Sequence, residues 1–410
     1  MKNKIKRICK EQECTACNAC INICAKKCIT YEVDSTGTKY AVINEKNCIS
    51  CSMCKNICPQ LNNGEKNSPS ICYAAWSKDE KIRKNSASGG IASELCKLFV
   101  DDKGMFSGVE LTENFDAVYQ LKEDMIKFEK YQNSKYVYSD TGFIFNDIAY
   151  ALEERKKVLF IGLPCQVDGL KHYLKLRKIN TEKFYAVDLI CHGVSPVEFL
   201  KAHIKYLENK YNKKATELYF RDPEMNTYTY TFSVKNNNET FYKKQVKRND
   251  VYQIGYHYGI IYRNNCYKCK YARKERVGDI TLADFGYVGK YAFCEYDNKN
   301  VSCILVNTER GEELIKKMKD NNRVFLEKRP LEEELETEKQ LKMPTIIPKE
   351  RELFENFYIR TGDFENSMKI AARKIIFKNE IVHYLCINEF KRTVVKIMPE
   401  FLKSILKKFM

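Results

Sequence analysis

The sequence has no run of apolar residues approaching the roughly 18 that a membrane-spanning helix requires. It also lacks the apolar stretch that would make a secretory signal of its basic start, because EQECTACNAC follows MKNKIKRICK. Helix-turn-helix, zinc-finger and RNA-recognition signatures are absent too, so the formal net charge of +16 reads as a solvated lysine-rich surface rather than a nucleic-acid footprint. Histidine is scarce, with five residues, and general acid–base candidates are correspondingly few. These absences point to a cytoplasmic globular protein. At 410 residues and 44% apolar content, the chain is long enough for two or three domains with a substantial core.

Cysteine is the residue present in excess. There are 19, and ten of them precede residue 60. In a reducing compartment disulfides are rare, so clustered thiols point to metal ligation. The first sixty residues hold an internal repeat. CTACNACINIC (Cys14 to Cys24) recurs as CISCSMCKNIC (Cys48 to Cys58), and every cysteine moves by the same 34 positions (48 − 14, 51 − 17, 54 − 20, 58 − 24). Cys-x2-Cys-x2-Cys-x3-Cys is the spacing with which a short loop gives three thiolates to one [4Fe–4S] cluster and passes its fourth to another. Two copies predict a crossed pair: Cys14, Cys17, Cys20 and Cys58 around one cluster, and Cys48, Cys51, Cys54 and Cys24 around the second. Zinc knuckles pair two Cys-x-x-Cys units and leave no use for the third cysteine of each loop. Each bound cluster is anionic and lowers the formal positive charge. Cys9 and Cys28 fall outside this frame and are expected to be free thiols. This segment resembles bacterial-type two-cluster ferredoxins, except that Cys24 is followed by Ala25 where Cys58 is followed by Pro59. Two such clusters relay single electrons and offer no open site for substrate.

LNNGEKNSPS (61 to 70) reads as a linker, after which strand-length and helix-length apolar runs alternate. KKVLFIG (156 to 162) is predicted as a buried strand, LPCQV as a loop and DGLKHYL as a helix, with FYAVDLI (184 to 190) the next strand. Ser195-Pro196-Val197-Glu198 fits a capping box opening the helix PVEFLKAHIKYLENKY. Tyr228, Tyr230, Phe232 and Val234 alternate as in a strand, turned back by Asn236 to Asn238 into a hairpin. Cys165 and Cys191 each follow a predicted strand, and a right-handed βαβ crossover places both at one carboxyl edge of the sheet, where open α/β sheets bind ligands. Spacing alone leaves them open between a shared metal site and small buried residues. RNNCYKCKYA (263 to 272) is likewise open between half of a site, a redox dithiol and a chance pair. NSASGG (85 to 90) ahead of an apolar-periodic helix suits either a phosphate cradle or an N-cap with a tight turn.

Taken in order, NSASGG, NSKYVYSDTG, GLPCQVDGLK, VDLICHGVSP, RNNCYKC and GDITLADFG resemble the coenzyme F420 hydrogenase/dehydrogenase beta subunit family across roughly residues 10 to 360. The resemblance implies a ferredoxin module fused to a catalytic domain. It implies a third [4Fe–4S] cluster on Cys165, Cys191, Cys266 and Cys269. It further implies FAD, with Ser86, Ser88, Gly89, Gly90, Lys135 and Gly162 as flavin contacts. Two departures bear on the substrate and the flavin: Ala283-Asp284-Phe285-Gly286-Tyr287 stands where relatives carry Gly-Asp-Phe-Trp-Gly, and Gly162-Leu163-Pro164 where they carry Gly-Thr-Pro. His192, Lys135 and Asp284 are the acid–base candidates, with Asp140 and Asp188 behind them.

The fold expected is α+β: a two-cluster ferredoxin fold (1–62), a mixed α/β catalytic domain (63–360) and a basic helical tail (361–410). In the tail Phe390, Val394, Ile397, Phe401, Ile405 and Phe409 recur at helical spacing, which fits packing on a domain or partner, or contact with a membrane surface. The function expected is an iron–sulfur flavoprotein oxidoreductase. It would exchange electrons with a redox partner protein, a ferredoxin-like donor or another subunit, and act on an organic substrate. The alternative is a flavin-free electron-transfer or accessory subunit, in a family whose bacterial members are often linked to surface-polysaccharide genes.

Overall fold

The structure, a computed structural model, describes residues 6–385; the tail residues Phe390 to Phe409 lie outside them. The fold is α+β. At the N-terminus three short antiparallel strands, Lys6–Arg7, Ile29–Val33 and Lys39–Ile43, form a sheet with the last of them in the centre. Each cysteine loop then enters a short helix, Ala19–Ile23 in the first repeat and Met53–Asn56 in the second. The 34-residue shift extends to the backbone. Ala16 and Asn18 are left-handed, at φ 52° and 64°, and their repeat mates Ser50 and Ser52 are left-handed too, at 54° and 62°. L-residues visit this region at a cost, so each loop curls the same strained way around its thiols.

The main body is a mixed nine-stranded sheet. Its order across is Val324–Arg329, Ile71–Ser77, Ser302–Val306, Ile280–Asp284, Phe184–Leu189, Val158–Gly162, Met105–Leu111, Ala117–Lys122 and Ser139–Asp140. The four strands from Ile280–Asp284 to Met105–Leu111 run parallel. Parallel strands covered on both faces read as continuous apolar runs, and the sides here alternate accordingly. Val158 and Phe160 point into one core with the helices Ile144–Glu153 and Pro164–Leu176, and Leu159 into the opposite core with Ile91–Asp101 and Glu309–Asp320. A third layer joins a small antiparallel sheet (Glu217–Tyr219, Thr231–Asn236, Glu239–Gln245) to the helices Val197–Tyr211, Val251–His257, Lys349–Thr361 and Phe364–Ala371. Among the described residues no helix is long and apolar enough to cross a membrane.

Three local expectations are corrected. LPCQV is not a loop: the helix starts at Pro164, whose missing N–H is harmless there, so Cys165 sits in the first turn. Ser195 does not cap its helix. Pro196 occupies the cap position without a side-chain bond, and the Ser195 hydroxyl is drawn away to the Tyr252 hydroxyl at 2.5 Å. The strand that was to start at Tyr228 starts at Thr231, because Thr227–Thr229 is a 3-10 turn and Tyr230 is left-handed at φ 52°. The hairpin through Asn237 and Asn238 stands, with φ 43° and 72° as its tight turn demands.

Candidate functional site

The strands Val158–Gly162 and Phe184–Leu189 pair in parallel, so Cys165 and Cys191 leave the same carboxyl edge. A second segment meets them there. Cys266 lies in the 3-10 turn Asn264–Lys268, and Cys269 directly follows it. All four cysteines line one cavity together with Arg263 and Arg276. Burial raises every one of these thiols above its usual range, and their closeness to one another raises Cys165, Cys191 and Cys269 further. Cys266 is also raised by burial, and Arg263 opposes the shift. Arg276 opposes it at Cys191 and Cys269. A thiol this reluctant to ionise alone becomes a thiolate when a metal takes the place of the proton. Among the described residues no three His, Cys, Asp or Glu side chains converge on a point as they would around a single ion. Four thiols spaced about a cavity, with two buried guanidiniums beside it, suit a larger anionic cluster. The donor set fits a four-iron centre.

The repeated cysteines gather in two groups. Cys20 lies near Cys17, Cys14 and Cys58, and Cys54 lies near Cys48 and Cys24, with Cys20 and Cys54 neighbours where the two groups meet. Cys14, Cys17 and Cys58 are buried, while Cys51 is exposed, so one group faces inward and the other meets solvent. The inward group abuts the four-cysteine cavity: Thr15 lines it, and Cys17 stands close enough to Cys165 to raise its pKa. Cys9 lies against Cys14 and Cys58, and Cys28 lies 3.5 Å from Cys24, so these two additional thiols adjoin the two groups. Hydrogen bonds clamp the module to the body. Tyr138 donates to the Ala16 carbonyl (2.6 Å), Asn18 to Asp140 (2.6 Å), Thr141 to the Cys17 carbonyl (3.2 Å) and Arg263 to the carbonyls of Thr15 (2.9 Å) and Lys39 (2.8 Å). Asp140 therefore serves this seam. Asp188 is occupied in the sheet, 3.2 Å from Arg276.

The other candidates sort by position. Asp284 ends its strand paired with the buried Arg221 at 2.6 Å and accepts from the Tyr230 hydroxyl at 3.0 Å. Arg221 also donates to the Ala87 carbonyl inside NSASGG, and its backbone carbonyl accepts from Asn133, two residues before Lys135. Four rings stand around this ion pair. Tyr230 lies under the Arg221 guanidinium at 3.9 Å, His257 is edge-on to Tyr230 and Tyr136, and Tyr136 stacks on Tyr256 at 4.6 Å. Tyr256 donates to the carbonyl of Gly193, the neighbour of His192, so the aromatic cluster borders the cysteine cavity that His192 also lines. The Nε of Arg221 is buried without a partner. Ser88, Asp284 and His192 thus lie about one centre, and Arg221, Tyr230 and His257 at its heart are residues the sequence reading missed.

The flavin candidates also have internal duties. Ser86 donates to the Ile82 carbonyl and Ser88 to the Val301 carbonyl, both at 2.8 Å. Gly89 leaves no room for a side chain, since a Cβ would meet the Ala75 carbonyl oxygen at 2.2 Å, and Gly90 sits at φ +88° as the helix begins. Gly162 has no room for a side chain either, since a Cβ there would stand 2.6 Å from the Phe160 ring and 3.1 Å from the Tyr119 hydroxyl. Lys135 turns its ammonium onto the carbonyls of Lys130 (2.9 Å) and Gln132 (2.6 Å), and burial brings its pKa down to about 7.

Comparison with known proteins bears on the body of the chain. The solved F420-reducing [NiFe] hydrogenase complex from Methanosarcina barkeri, studied by xenon derivatization, contains a similar chain at 16% identity and a TM-score of 0.42, covering 77% of this chain and 91% of that one. No curated protein matches. The family model for the C terminus of the coenzyme F420 hydrogenase/dehydrogenase beta subunit matches residues 155–333, a span that holds Cys165, Cys191, Cys266, Cys269, Arg221, His257 and Asp284. Residues 155–333 are thus similar to the C-terminal region of coenzyme F420 hydrogenase/dehydrogenase beta subunits.

Proposed function

We propose that this chain is an iron–sulfur oxidoreductase that carries single electrons between its repeated cysteine module and a redox cofactor held near Arg221, where they are paired for reaction with an organic substrate. The reading rests above all on the single cavity lined by Cys165, Cys191, Cys266 and Cys269, next to Cys17. In it, residues 1–62 hold two [4Fe–4S] clusters in the crossed arrangement, the four-cysteine cavity holds a third, and residues 63–360 form the catalytic unit. Cys51 marks the solvent end of the relay.

The cofactor proposed at the inner end is FAD. The centre around Arg221 offers what an isoalloxazine ring needs: flat aromatic neighbours in Tyr136, Tyr230 and Tyr256, and a buried guanidinium with a free Nε donor. Bound there, a flavin would supply the two-electron chemistry that the clusters lack. The chain's own residues bind and orient it, with Arg221 held in place by Asp284. A deazaflavin at the same centre is the second reading, favoured by the family's own description.

Denaturing the anaerobically purified protein and identifying what is released separates these readings. Free FAD supports the first and free deazaflavin the second, while cluster absorbance with neither would leave a flavin-free carrier. Arg221→Lys should weaken cofactor retention roughly tenfold or more, since one donor of a charged, planar fork is worth about 1.5–3 kcal/mol and lysine cannot reproduce it. Its iron content should be unchanged. Equal retention by wild type and variant, measured by absorbance after gel filtration, would remove Arg221 from the site.

A further inference from the structure

Gly169 is an unexpected residue inside the helix Pro164–Leu176, where glycine costs about 1 kcal/mol relative to alanine. Its place explains it. A Cβ at Gly169 would stand 3.0 Å from Cys17 Sγ, 3.2 Å from Cys17 Cβ and 3.6 Å from Ala19 Cβ. Residues four apart share one helix face, a single turn or about 5.4 Å from each other. Cys165 is four residues before Gly169, so one face of one helix presents a thiol to the four-cysteine cavity and, a turn later, the bare backbone on which Cys17 rests.

The helix is fixed from the neighbouring side as well. A Cβ on Gly64 would fall 1.9 Å from Asp168 Oδ1, so Gly64 lies directly across this turn. Asp168 accepts from the Tyr271 hydroxyl at 2.7 Å, and Lys270 donates to the carbonyls of Pro59 and Asn62. The segment holding Cys269 and the segment following Cys58 are thereby strapped to the same turn.

We infer that Gly169 is a positioning residue that sets the gap for electron transfer between the cluster held by Cys14, Cys17, Cys20 and Cys58 and the cluster held by Cys165, Cys191, Cys266 and Cys269. The step is one electron leaving the first cluster, which is oxidised by one unit, and arriving on the second, which is reduced by one. No proton or bond changes hands. This rests on the three-cluster reading proposed above.

Gly169→Val is the test, with Lys175→Ala on the exposed part of the same helix as control. The full chain, reduced by dithionite through its solvent-facing module, is followed by freeze-quench electron paramagnetic resonance. Gly169→Val should keep the wild-type iron content of about twelve per chain. It should weaken the magnetic coupling between the two centres and slow arrival of the electron at the inner cluster several-fold, because tunnelling falls off exponentially as the gap widens. Gly169→Ala should fall between, and Lys175→Ala should match wild type. Unchanged coupling and rate in a fully loaded Gly169→Val protein would overturn the inference. Should Gly169→Val lose iron, Gly169→Ala decides: full loading with unaltered coupling would also overturn it. Only about eight irons in the wild type would instead overturn the three-cluster reading.

Discussion

Cys266→Ser is expected to lower bound iron from about twelve to about eight per chain while the resonance signals of the two module clusters persist. The residue is buried, fixed by the turn Asn264–Lys268, and shares its cavity with Cys269 at the end of that turn and with Cys165 and Cys191 from two further points in the chain. A serine hydroxyl is a harder and far weaker donor to iron than a thiolate, and the turn cannot swing another sulfur into its place. Transfer of electrons beyond the module should therefore stop, a loss of function much larger than its effect on folding. Cys165→Ser, Cys191→Ser and Cys269→Ser should give the same deficit. Cys9→Ser supplies the contrast: it adjoins the inward module group yet is not among the four thiolates proposed for it, so about twelve irons should remain. Iron and acid-labile sulfide analysis with electron paramagnetic resonance reads every variant. If Cys266→Ser retained twelve irons, the cavity would not be a cluster site.

What the sequence disclosed and what it concealed follow from how far each feature depends on tertiary contact. The repeat was legible because ligand spacing is local: three thiols on one short loop must fall at fixed intervals, and even the left-handed pairs Ala16/Asn18 and Ser50/Ser52 keep the 34-residue shift. The parallel strands carrying Cys165 and Cys191 were legible as apolar runs, and handed crossovers fix which edge they share. Arg221 was not. It follows a strand of the small sheet, and only the packing of that sheet brings it to Asp284, Ala87 and the rings of Tyr230 and His257. Ser195 misled for the same reason, as a cap motif is a local preference and the buried Tyr252 hydroxyl outcompeted it. Gly169 looked like an ordinary helix residue until the Cys17 loop was seen against it.

His203→Gln should destabilise the folded chain at pH 6 and do so much less at pH 9.5. His203 is 1% exposed on the helix Val197–Tyr211, with Nδ1 2.9 Å from Glu365 and Nε2 3.1 Å from Asp250. Burial alone would lower its pKa, but the charges and hydrogen bonds of Asp250 and Glu365 prevail and lift it to about 9. Asp250 in turn accepts from Tyr242 at 2.8 Å and caps the helix Val251–His257 through the Gln253 amide, so the imidazolium joins three helices at one point. A folded pKa raised above the unfolded value near 6.5 adds stability that is complete below about pH 6.5 and disappears as pH rises through about 9. The shift corresponds to about 3 kcal/mol. His203→Ala, which strands two buried carboxylates, should cost roughly 3–5 kcal/mol, a large part of what holds a domain together. Urea midpoints of wild type and His203→Gln across pH 6 to 9.5 read the effect directly. The wild-type midpoint should fall toward the variant's as His203 loses its proton, and a gap that stayed constant with pH would mean that the imidazole is neutral in the core.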